Sequence, residues 1–161
     1  MAAKDAFTAE EWARVVAAPM LAGIAVTAAE PGGLWGAVKE SVAVAGAVRA
    51  AKADADPLVA EVAAAYETAE GRDMARAALK SQARGKKPAA VVEAAIGELS
   101  AVASLVAAKA PAAGPGFRDW LKAIAAKVAE AGAEGGFLGF GGEKVSAAET
   151  ATLERIATAL G

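Results

Sequence analysis

Arg72, Arg76, Lys80 and Arg84 recur at four-residue spacing, and Lys86 and Lys87 extend the series. Each four-residue step advances about 40° around a helix, so the row winds gently over one side of it. Residues 71–90 hold these six cations and one acid, Asp73, for a net +5. The whole chain is −2, so the remainder carries −7. A face this lopsided can attract an acidic protein, a nucleic acid or an anionic lipid surface. No aromatic side chain stands between the cations to stack on bases, and the chain as a whole is acidic. Both facts disfavour nucleic acid and lipid. The pattern fits an acidic face on an unknown protein partner or on a second copy; separately, the alanine-rich helix faces would allow a homodimer.

The second group is the loop Gly135-Gly136-Phe137-Leu138-Gly139-Phe140-Gly141-Gly142. Glycines permit positive φ and close backbone approach. The loop leads towards a helix N-terminus, where free N–H groups can hold an anion. It lacks Gly-Lys-Ser/Thr and no strand precedes it, so it is neither a phosphate loop nor a dinucleotide fingerprint. Phe137, Leu138 and Phe140 are expected to fold inward and plug the end of a bundle.

The third group is acidic. Glu30, Glu40, Glu134, Glu143 and Glu149 sit in or near two glycine-containing turns. Carboxylates alone can bind Ca²⁺ or Mg²⁺. Neither EF-hand spacing nor Glu-x-x-His of a di-iron bundle is present, which argues against a dedicated metal centre. With no Cys and no His, thiol chemistry, Cys/His zinc sites, Ser-His-Asp triads and His-ligated haem are excluded. No cofactor is expected. Catalysis would have to rest on carboxylates, Lys, Tyr66 or hydroxyls.

The elements that must position these groups are helices. Alanine, the strongest helix former, supplies 50 of 161 residues, while aromatics make up 5%. Nowhere does two-residue alternation coincide with β-branched enrichment over a strand's length. About seven helical segments can be read. Thr8 with Glu11 forms a capping box opening the first, whose Trp12, Val16, Met20 and Ile24 repeat every four residues. Pro19 predicts a kink or break there. Pro31-Gly32-Gly33 is a turn. The second segment carries Leu34, Val38, Val42 and Ala45 on one side and ends near Asp54. Asp56-Pro57 reads as cap and first helical residue. The third then buries Leu58, Val59, Val62 and Tyr66, and Gly71 separates it from the basic stretch. Pro88 opens the fifth, with Val92, Ile96, Leu99, Val102 and Val106. The sixth follows the connector 111–116 and shows Phe117, Trp120, Leu121, Ile124 and Val128 on one side. Ser146 with Glu149 is a second capping box, opening a last helix that buries Leu153, Ile156 and Leu160.

The reading is one all-α domain over residues 1–161, a compact bundle with short connectors and antiparallel neighbours. The longest uncharged run, residues 15–29, is shorter than the roughly 20 residues a membrane span needs. The N-terminal residues lack a secretory pattern, so a cytoplasmic location is expected.

The run Gly142-Glu143-Lys144-Val145-Ser146-Ala147-Ala148-Glu149, followed by Leu153, Ile156 and Leu160, resembles the acidic turn-and-helix of the tellurite-resistance TerB-like helical family. Ala29-Glu30-Pro31-Gly32, ending at Glu40, is similar to a looser copy of it. The resemblance covers about 30 residues. It implies an all-α fold, a role in bacterial stress responses, and acidic residues that hold a divalent metal. Where that family has Asp before its Gly, this chain has Gly141 and Pro31. The function expected is a non-catalytic interaction or stress-associated module. The alternative is a small-molecule or divalent-metal binder, or a carboxylate enzyme, with a pocket near Trp35 and the glycine loop.

Overall fold

The computed structural model describes residues 2–30, 34–133 and 145–161, and among these there are seven α-helices and no strand. They are α1 (Ala9–Thr27), α2 (Leu34–Ala50), α3 (Pro57–Ala65), α4 (Ala69–Ala83), α5 (Pro88–Lys109), α6 (Gly114–Ala133) and α7 (Ala147–Leu160). Short 3₁₀ turns at Ala3–Ala6 and Ala51–Ala53 complete the helical elements.

α1 is the axis of the bundle. It packs against α4, α5 and α6, while α2 lies along α6 and α7 along α5 and α6. Its buried residues go most of the way round: Val15, Val16, Ala17, Ala18, Leu21, Ala22, Ala25 and Val26 are all at most 1% exposed. A helix enclosed on several sides needs small residues to let its neighbours approach, and here alanine supplies them. Trp12, Met20 and Ile24 are only half-buried, so the four-residue stripe marks one edge of the buried surface and not its centre. α1 also runs unbroken through Pro19. The ring removes one N–H, but Pro19 is itself buried, and packing on its neighbours holds the helix together.

Local chemistry sets the helix starts. Thr8 Oγ accepts from Glu11 N at 3.2 Å, and Glu11 Oε2 accepts from Thr8 N at 2.7 Å. Glu11 also receives Lys109 Nζ at 2.6 Å, joining the start of α1 to the end of α5. The lysine first, then the Thr8 N–H, hold the Glu11 carboxyl below the usual carboxylate range. A depressed pKa contributes stability above the ordinary carboxylate value, and this contribution disappears as pH falls through the lowered one. Arg14 grips both Glu98 oxygens, at 2.6 and 3.2 Å, giving a second α1–α5 tie. Asp56 Oδ1 caps α3 through Leu58 N and Val59 N.

Three expectations about the helices, one of register and two of boundaries, are corrected. On α2, Val42 is 67% exposed and Ala45 is exposed, whereas Val44, Ala47 and Val48 are buried against α6 and α1. Gly71 lies inside α4 and does not separate it from α3. Thr68 caps α4 by accepting from Gly71 N at 3.0 Å, so the helix begins earlier than the basic stretch. The sixth segment likewise starts at Gly114, within the expected connector.

Gly97 is the opposite of Gly71. It lies mid-way along α5, and a Cβ there would meet nothing within 4 Å. Gly97→Ala should therefore stabilise the fold by about 0.5–1 kcal/mol through reduced backbone entropy in the unfolded chain. A rise in the urea midpoint with unchanged slope would show it.

α5 is also, among the described residues, the one helix long and apolar enough by composition to cross a membrane. Here Val92, Ala95, Leu99, Val102 and Val106 are buried by protein.

Candidate functional site

Two of the acids named from the sequence, Glu30 and Glu149, are linked in space through one side chain. Glu30 follows the end of α1, and Ser146 and Glu149 open α7, 116 residues later in the chain. Ser146 joins them. Its hydroxyl donates to Glu30 Oε1 in a short hydrogen bond and accepts from Glu149 N at 3.1 Å. Its own N–H donates to Glu149 Oε2 at 2.9 Å. One serine thus holds a carboxylate on each side.

Glu149 is 2% exposed, the one acid among the described residues buried to that degree. Its Oε2 is occupied by the cap, while Oε1 is buried with no hydrogen-bond partner. Two other buried polar side-chain atoms among the described residues share that state, Arg118 Nε and Trp120 Nε1, but both are donors on α6. An unmet carboxylate oxygen removed from water costs on the order of 1–3 kcal/mol or more. The N-terminal dipole of α7 offsets part of the negative charge at Glu30 and Glu149. Neither acid has an ion-pair partner among the described residues. The arrangement therefore has surplus negative charge and a free acceptor, with no cation paired to it among the described residues.

Glu30 also lines a groove of about 640 Å³ between the end of α1, the start of α5 and the first half of α7. Ala28, Ala89, Val92 and Ala148 contribute apolar walls, and Arg155 pairs with Glu93 across it at 2.7 Å. This pair gave no signal in the sequence, since its residues lie on different helices. The remaining expected acids, Glu134 and Glu143, together with Gly135, Gly136, Phe137, Phe140 and Gly142, lie outside the described residues, as do the side chains of Glu40 and Trp35. Among the described residues no three acidic side chains gather.

The basic row is a separate region. Arg72, Arg76, Lys80, Arg84, Lys86 and Lys87 are all exposed, on α4 and the turn into α5. Some have local tasks. Arg72 Nη1 donates to the carbonyls of Tyr66 and Glu67 just past the end of α3, at 3.0 and 2.8 Å. Arg76 reaches Asp73 at 3.3 Å, and Lys86 Nζ donates to the Gln82 carbonyl at 2.8 Å. Lys80, Arg84 and Lys87 form no ion pair among the described residues. Tyr66, a candidate hydroxyl for catalysis, is committed to structure: its OH donates to the Val16 carbonyl at 2.7 Å, and burial pushes its pKa up.

These features define an all-α bundle carrying a buried carboxylate, Glu149, joined through Ser146 to the half-buried Glu30, and a cationic helix face elsewhere. Comparison with protein-family models, with curated proteins and with solved structures finds no match to the chain.

Proposed function

We propose that this chain is a non-catalytic binding module whose working site, formed by Glu30, Ser146 and Glu149, takes a hard divalent cation of the Ca²⁺ or Mg²⁺ class. The observation that carries the reading is Glu149 Oε1, buried and without a hydrogen-bond partner on a residue that shares Ser146 with a second acid, Glu30. Two carboxylates match the charge of a divalent ion, and such ions take oxygen ligands with water completing the shell. Glu30 and the free Glu149 oxygen would hold the ion. The ion would neutralise both acids and cross-link the end of α1 to the start of α7. The TerB-like resemblance points the same way, and with it a role in a bacterial stress response.

Few protein ligands imply modest affinity, of the order of 10⁻⁴ to 10⁻³ M. Calorimetric titration with Ca²⁺, Mg²⁺ and Mn²⁺ should show one site for at least one of them. Glu30→Gln keeps an acceptor for Ser146 and removes one charge, so it should weaken binding about tenfold or more. Glu149→Gln retains the capping box, because Gln also serves at that position. It should abolish binding and leave cation-free stability within about 1 kcal/mol of the parent, since the buried charge is gone but an amide nitrogen takes the unpartnered position. Silence from all three ions up to millimolar concentration refutes the reading, as does a Glu149→Gln variant that binds like the parent.

A further inference from the structure

We propose that the outer face of α4 docks a helix of a partner protein bearing carboxylates at four-residue spacing. The argument starts from a local cost. Arg72/Arg76, Arg76/Lys80 and Lys80/Arg84 are like-charged neighbours four residues apart on one exposed helix surface. Each such pair opposes helix formation. A face selected for stability alone would alternate its signs, and sites that break a local rule are where function is expected. Asp73 is the single acid that answers the row on α4, in an ion pair whose two side chains are 69% and 73% exposed.

The row is also held rigidly. Ala75 is buried, and half-buried Met74, Ala78 and Leu79 lie on the inward side of α4, which packs on α1. Gly85, at φ 72°, turns the chain after Arg84, and Lys86 reaches back to the Gln82 carbonyl at the end of α4. From Arg72 to Arg84 the row spans about 18 Å. A partner helix with Glu or Asp at four-residue intervals presents the same rise per step, so several carboxylates can meet cations in one register. Charge complementarity of this kind sets specificity and encounter rate. Nucleic acid fits less well, since no aromatic side chain interrupts the row and the rest of the chain carries −7.

The test uses a labelled synthetic helical peptide with Glu at every fourth position in an Ala/Gln background, at about 150 mM salt. A matched peptide with Lys at those positions, a single-stranded oligonucleotide and phosphatidylserine vesicles serve as comparators. The acidic peptide should bind the full chain, with affinity falling as salt rises. Arg76→Glu combined with Lys80→Glu should weaken it on the order of tenfold. The same double variant should melt close to the parent, because it makes opposite-charge pairs of positions 72/76 and 80/84 while 76/80 stays like-charged and the Asp73 pair is lost, and it should gain affinity for the Lys peptide. The proposal is overturned if the acidic peptide does not bind, if the double variant binds it equally well, or if the oligonucleotide or vesicles bind the parent more tightly.

Discussion

Phe117→Ala should remove about 3–5 kcal/mol of stability, the cost of deleting a large aromatic from a close-packed interior. Phe117 is 0% exposed and heads the fully buried side chains by volume. It sits one turn into α6, where its ring stacks at a tilt against Trp120 with centroids 6.2 Å apart. In a core built mainly of Ala and Val, few neighbours are long enough to fold into the space left behind, so the cavity term should persist. Domains of this kind carry about 5–15 kcal/mol in total, so a large share would be lost. The urea midpoint should fall steeply with little change in slope, and Phe117→Leu should recover part of the loss. An unchanged midpoint would mean that α6 does not pack as described.

Gly71→Ala is expected to be comparably damaging for a different reason. A Cβ at Gly71 would lie 2.1 Å from the Ala65 carbonyl oxygen and 2.6 Å from its carbon. These are backbone atoms at the end of α3, so no side-chain rotation can yield. The corner between α3 and α4 would have to open, loosening the Thr68 cap and the Arg72 contacts to Tyr66 and Glu67. Overpacking of this severity costs about 3 kcal/mol or more. Gly97→Ala is the internal control, the same chemical change in open space. If both substitutions shift the melting temperature alike, the close approach at the corner is not real.

What could be read in the chain beforehand follows from the range of the interactions involved. The starts of α1, α3 and α7 were legible because Thr8/Glu11, Asp56-Pro57 and Ser146/Glu149 act over three residues or fewer. The buried stripes of α5 and α6 were legible because their large side chains recur at helical spacing, set among alanines on α5 and among charges on α6. On α2 the signal fails: alanine and glycine separate the valines, so Val42 and Val44 compete as the inward position, and only packing on α1 and α6 selects Val44. Gly71 looked like a separator because a glycine's role depends on what approaches it, and Ala65 does so only after the chain has turned.

The candidate site was half legible. Glu30 and Glu149 stood out as acids near turns, and the TerB-like resemblance touched both. Their meeting through Ser146 spans 116 residues and is a product of tertiary packing. The capping box even concealed the point of interest, since it accounts for one Glu149 oxygen and leaves the other, buried one, unexplained.

That oxygen can be questioned directly. Sub-stoichiometric Mn²⁺ broadens the amide resonances nearest to it, so a series of ¹H–¹⁵N spectra locates a bound ion without presuming its affinity. Broadening should begin at Glu30 and at residues 145–149, spread along α7 only as Mn²⁺ is added, reach the exposed Asp73 on α4 last, and vanish in Glu149→Gln. Broadening spread evenly over the exposed acids, or persisting in that variant, would show that the carboxylate pair holds no cation.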